Sequence, residues 1–314
     1  MDSAHPLRFL LILTLLMLAC GLPTASTPPA PFDSAQDEPA PVDPTIPPPT
    51  ETPPGLTLNQ INNVRYPVSV REDGLVVQLV DGQYQQGTDP IDPDFAYVTV
   101  TQFVAFGDLT GDGIGDAAVI FFENYGGTGQ FGVLAVYANV SGEPVFLHST
   151  LIDDRPMVNS INIENGEIFI DAIVHGAEDG GCCPTLPTTR RYALVRNQLR
   201  LMHFTTDTPG GARRAIEITS PADGAEVSGS VRVTGTISIA PFENNLNWVI
   251  SNALFYATGY LMVNAPDLGA PGTFDEVFSL EGIPSGTTIY LEIQDINQAD
   301  GSLFALDVVK LLVR

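Results

Sequence analysis

"SPADGAEVSGSVRVTGTISI", Ser220 to Ile239, is the stretch whose reading decides the fold. In its second half Val231, Val233, Gly235, Ile237 and Ile239 fall on one side, and Arg232, Thr234, Thr236 and Ser238 on the other. A period of two is the signature of a strand with one buried face; a helix would repeat every three to four residues. The first half is rich in Ser, Pro, Asp and Gly, which favour turns. Outward from this stretch the same grammar continues, through "AIEIT", "NWVISNALFY", "GYLMVN", "TFDEVFSL", "TIYLEIQD" and "LFALDVVKLLV". About seven short strands in roughly 100 residues predict a two-sheet sandwich. Trp248 is its candidate central aromatic, and no cysteine pair staples it.

"IEITSPADGAEVSGSVRVTGT", "GTFDEVFSL" and "DINQADGSLFALDVVKLLV" together resemble the immunoglobulin-like domain of bacterial spore-germination proteins, over about residues 216–313. That resemblance implies an accessory module of secreted and lipid-anchored proteins, with a binding or spacing role and no catalytic residues.

Upstream, residues 58–204 also read as strand-rich. "GLVVQLVDGQY", "AYVTVTQFVAFGD", "DAAVIFFENY", "QFGVLAVYANV" and "RRYALVRNQLRLM" are rich in β-branched and aromatic residues, with Gly, Asn or Asp at the joints. "IENGEI" predicts a hairpin, because Asn165-Gly166 suits a type I′ turn. Between the two halves, Thr205 to Arg214 clusters Gly, Pro and Thr and reads as a linker. The expected fold is mostly β: a strand-rich domain at 58–204, a linker at 205–214 and an Ig-like β-sandwich at 215–314.

The N-terminus predicts the compartment. Arg8 is followed by an apolar run from Phe9 to Ala19, with the length of a secretory signal rather than of a membrane span. The sequence Leu16-Met17-Leu18-Ala19-Cys20 resembles a bacterial lipobox, which implies cleavage after residue 19 and acylation of Cys20. Met17 stands where Leu is usual. Two or more acyl chains make a stable anchor. Residues 20–57 are Pro-rich with few large apolar side chains, a composition that predicts a disordered stalk. At about 3.1 Å per residue, thirty such residues reach on the order of 90 Å. The chain is expected outside the cytoplasm, held to the membrane by lipid alone.

The formal charge is −24, from 37 acidic and 13 basic residues. Such a chain is repelled by nucleic acid, which is not expected as a partner; an unidentified protein or envelope polymer is. Six of the thirteen basic residues lie between Arg190 and Arg214, read as a solvated strand pair plus linker or as a docking site for an acidic partner.

"AFGDLTGDGIGDAAVIFF", Ala105 to Phe122, carries the candidate metal site. Hard Ca²⁺ needs a dense supply of oxygens from a tight loop. Counted from Asp108, an EF-hand pattern fails at its twelfth position, which is Val119. The loop is closer to FG-GAP-type repeats, a resemblance that implies Asp108, Thr110, Asp112, the Ile114 carbonyl and Asp116 as calcium ligands. The alternative is an Asp/Gly turn without metal. The surrounding pattern "AFGDL", "GDG", "DAAV" and then "HG" and "CCPT" is similar to a domain of bacterial lipoproteins with no established activity.

Cys182 and Cys183 are the other cysteines, open to a vicinal disulfide, to two free thiols or to a metal site with His175. No G-x-S-x-G, H-E-x-x-H or S-x-x-K arrangement is present. "LIDDRP" offers paired carboxylates but reads as a turn. The favoured function is a non-catalytic binding or scaffolding protein. The alternative is a hydrolase or redox enzyme using His175 with Cys182 and Cys183, or the aspartate loop.

Overall fold

A computed structural model describes residues 54–71 and 73–314. The signal at 1–19, the acylation site Cys20 and the Pro-rich segment as far as Pro53 lie outside the described residues. Among the described residues no helix is long and apolar enough to cross a membrane.

Among the described residues the first part holds eleven strands: β1 (Arg65–Pro67), β2 (Val76–Gln78), β3 (Gln83–Gln86), β4 (Ala96–Gly107), β5 (Asp116–Asn124), β6 (Phe131–Val140), β7 (Glu143–Asp154), β8 (Met157–Glu164), β9 (Glu167–Val174), β10 (Leu186–Val195) and β11 (Gln198–Asp207). Nine follow: β12 (Arg213–Arg214), β13 (Ile216–Ser220), β14 (Ala225–Val227), β15 (Ser230–Ile237), β16 (Asn245–Ser251), β17 (Tyr256–Met262), β18 (Gly272–Ser279), β19 (Thr288–Ile296) and β20 (Leu303–Val313).

A five-stranded sheet, ordered β3-β4-β5-β6-β7, lies at the centre of the first part. Its inner strands bury both faces. Val119, Phe121, Val133 and Tyr137 pack towards Tyr66, Val77 and the single-turn helix Leu58–Ile61. Ile120, Leu134 and Val136 pack the other way, on Ile168, Ile170 and Tyr192 of β9 and β10. Two-sided burial explains why "DAAVIFF" is a continuous apolar run rather than an alternating one. The β8–β9 hairpin turns at Asn165 (φ 52°) and Gly166 (φ 78°), the positive φ values that a type I′ turn requires.

In the second part a three-stranded sheet, β13-β15-β18, packs against β17-β16-β19-β20. Val231, Val233 and Ile237 of β15 face this core with Phe274, Phe278, Leu291 and Ile293. Ile239 falls beyond the strand and is half-buried. Trp248 is not the central aromatic. It is partly buried at the margin of the core, edge-on to Phe278 with ring centroids 5.2 Å apart. Its register on β16 places it opposite Gly259, which leaves room for the indole there. The run "NWVISNALFY" is broken by a turn in which the Asn252 side-chain oxygen accepts from the amides of Leu254 (2.6 Å) and Phe255 (2.8 Å). The strand after it therefore begins at Tyr256.

The two parts share a sheet. β11 pairs antiparallel with β20, in the register His203 to Asp307, Phe204 to Leu306 and Thr205 to Ala305. The sheet so formed has ten strands, running from β17 to β8, with β12 and β14 as side branches. Residues 205–214 contribute the end of β11, a turn and β12, with the Gly211 amide donating to the Thr208 carbonyl (2.8 Å).

Candidate functional site

The aspartate loop joins β4 to β5 and closes through its own carboxylates. Asp108 Oδ1 accepts from the amides of Gly111 (2.7 Å) and Asp112 (3.2 Å), and Oδ2 from Gly113 (2.8 Å). Asp112 Oδ1 accepts from Ile114 (2.8 Å). Asp116 is fully buried; its Oδ2 accepts from Leu109 and Thr110 (both 2.9 Å), and its Oδ1 from Asn139 of β6 (2.8 Å). Gly111 and Gly113 have φ of +80° and +83°, which lets the amides turn inward. The donor chemistry suits a hard cation, and the same carboxylates already close the loop on its own amides. Among the described residues no three His, Cys, Asp or Glu side chains gather around one point. Thr110 is exposed.

Cys182 and Cys183 are bonded to each other, on an exposed loop between β9 and β10. Asp179 organises that loop, accepting from the amides of Gly176 (2.8 Å) and Thr185 (2.7 Å) and from the Thr185 hydroxyl (2.8 Å). His175 engages Asp153 rather than a cysteine. Its Nδ1 lies 2.9 Å from Asp153 Oδ2, which also accepts from the His175 amide (2.6 Å). The Asp153 hydrogen bond raises the imidazole above its usual pKa, with Asp154 and Asp179 adding to it. Asp153 and Asp154 end strand β7 instead of forming a turn, and they diverge: Asp154 pairs with Arg155 (2.8 Å).

The arginines between 190 and 214 that enter ion pairs do so within the fold. Arg191 pairs with Glu167 (3.0 Å), Arg213 with Asp207, and Arg200 with Glu292 while lying 4.3 Å over the Tyr290 ring. The first two pairs tie neighbouring strands together, the third reaches from β11 across β20 to β19, and all three leave less free cationic surface for an acidic partner.

A cleft of about 540 Å³ escaped the sequence reading. It opens where β12, β19 and the turn before β16 meet, and it is lined by Arg214, Phe242, Tyr260, Asp295 and Phe304. Asp295 is 2% exposed because it takes the core-facing register of Ile289, Leu291 and Ile293 on β19. Burial raises its carboxyl above the ordinary range, and Arg214 partly offsets this. Arg214 reaches it only at 3.5 Å, so Asp295 Oδ2 and Arg214 Nε are both buried without a hydrogen-bond partner. The guanidinium lies 4.4 Å over Phe304. The signal was present in "TIYLEIQD": an acid at the fourth apolar position of a strand must be paired, or wait for a ligand.

No curated protein matches the chain. Residues 215–302 match the family model described as the immunoglobulin-like domain of bacterial spore germination, and strand β20 follows directly on the matched residues.

Proposed function

We propose that the chain is a lipid-anchored protein of the bacterial cell envelope, with a non-catalytic binding or scaffolding role. The observation that carries this reading is the match of residues 215–302 to an Ig-like domain of spore germination. The lipobox-like segment ending at Cys20 and the Pro-rich segment after it supply the anchor and the spacer. The partner is an envelope protein or polymer. The loop's amides are met by Asp108, Asp112 and Asp116, so this reading does not depend on calcium. The enzyme reading is disfavoured: the thiols of Cys182 and Cys183 are spent on one another, and His175 is held by Asp153.

Metabolic labelling of the producing cells with an alkyne fatty acid tests the anchor. The chain is expected to carry label and to lose it in Cys20→Ser, with the variant released from the membrane. An unlabelled wild-type chain, or label that survives Cys20→Ser, overturns the reading.

A further inference from the structure

We propose that the cleft between Arg214, Asp295 and the exposed rings of Phe242 and Tyr260 is a binding site for an uncharged glycan; this deepens, and rests on, the envelope-binding role. Three features converge there. First, Phe242 and Tyr260 are 74% and 67% exposed, although burial is the ordinary state of large rings. Phe242 is presented by a turn in which Glu243 and Asn244 both hold positive φ (60° and 54°). Asn tolerates that conformation; Glu does so only when its surroundings enforce it, and such outliers gather at ligand sites. Second, the wall behind the rings holds two buried polar atoms without a hydrogen bond: Arg214 Nε, and Asp295 Oδ2, which has only the ion-pair contact with the guanidinium at 3.5 Å. A buried group left without a partner is costly, and a ligand hydroxyl relieves that cost. Third, the pairing of β19 with β20 shifts register between Asp295 and Ile296, a bulge of the kind that re-aims side chains beside sites.

The chemistry selects the ligand. A pyranose with equatorial hydroxyls presents a face of axial C–H groups, which suits an aromatic ring, and an edge of paired hydroxyls, which suits carboxylate and amide groups. The amides of Asn245, Asn297 and Gln298 also line the cleft. An anionic polymer is repelled by Glu243, by Asp295 and by the net charge of −24. Arg214 does not reverse this, because it is engaged by Asp295 and by Phe304. A second cleft of about 730 Å³ adjoins it at the stacked Arg214 and Phe304.

Saturation-transfer NMR on the full chain, with cellotetraose and chitotetraose as probes and hexalysine as the cationic control, tests the proposal. Transfer to sugar ring protons is expected with at least one saccharide. Affinity is expected to fall about tenfold in Phe242→Ala or Tyr260→Ala, the scale of one lost stacking contact. Both rings are exposed, so these variants keep the fold, which far-UV circular dichroism checks. Asp295→Asn, which keeps the shape, provides a second reading of the same site and is expected to weaken binding. No transfer to either saccharide, transfer unchanged in all three variants, or binding of hexalysine in place of sugar overturns the proposal. Fatty-acid labelling at Cys20 is independent of each of these outcomes, so the anchor can stand where the glycan site fails.

Discussion

Glu123 lies near the end of the central strand β5 of an apolar sheet, fully buried, and its carboxylate is nevertheless satisfied. Oε1 accepts from the Tyr66 hydroxyl and the Ser69 amide (3.0 Å), and Oε2 from the Val70 amide (3.2 Å) and the Tyr125 hydroxyl (2.5 Å). Burial, together with this carboxylate, pushes both phenols far above their usual range, so they remain donors. Glu123→Gln puts an NH₂ where four donors converge and is expected to cost about 2–4 kcal/mol, since it leaves buried donors unmet. Urea unfolding checks this; an unchanged midpoint would show that the network is idle. Asp295 is the opposite case, a buried acid without adequate partners. Its pKa is higher folded than unfolded, so the fold binds the proton more tightly. Stability should therefore fall as pH rises from the ordinary carboxylate range through the raised value, and Asp295→Asn should remove that slope. Melting temperature against pH, wild type beside variant, measures it; parallel curves count against it. The aspartate loop gives a third outcome. Isothermal titration at about millimolar Ca²⁺ is expected to show no heat, and chelator no change in melting temperature. Heat that disappears in Asp112→Ala would restore calcium to the loop. The sequence made the acids at 108, 112 and 116 visible by their density. It could not show which amides they face, and Glu123, a lone acid in "IFFENY", gave no signal because its donors come from residues 66–70 and 125.

At the scale of the element, legibility followed period. The alternating β15 and the Asn165-Gly166 hairpin were readable, because one buried face and one turn type each leave a local trace. The β16–β17 joint was not: "VISNALFY" carries apolar residues straight through a turn made by one Asn side chain. Trp248 was misplaced for a related reason. Size and hydrophobicity argue for the core, but position was decided by the partner strand, where Gly259 is the small residue that admits the ring. A Cβ at Gly259 would lie 2.7 Å from the indole, inside contact distance. Gly259→Ala is therefore expected to expel the ring and cost about 1–3 kcal/mol, the usual range for overpacking. Trp248 is the sole tryptophan, so its emission reports directly. A red shift with a lowered unfolding midpoint is expected, and an unmoved spectrum would mean the ring has other room.

Over the whole molecule the decisive contact is the one between β11 and β20. Composition at 205–214 reads as a linker because Thr, Pro and Gly cluster there. What that reading cannot contain is a pairing about a hundred residues away in the chain, between Thr205 and Ala305. The pairing gives each half a neighbour on an edge that would otherwise be open. Side chains seal it: Met202 and Phe204 pack with Leu306 and Val308, and the Asp307 carboxylate meets both His203 (3.0 Å) and the Ile218 amide of β13 (2.8 Å). A joint made by strand pairing would suit the proposed binding role, because it gives the two halves one continuous sheet rather than two independent beads. It also makes the two halves share their fate on heating, since unpairing one exposes the hydrogen-bonding edge of the other. Scanning calorimetry of the full chain is expected to show a single transition. Phe204→Ala should lower that transition as a whole, with a loss of about 3–5 kcal/mol for a large buried ring. Two resolved transitions, with Phe204→Ala moving one and sparing the other, would show that the sheet is continuous in geometry but divided in energy.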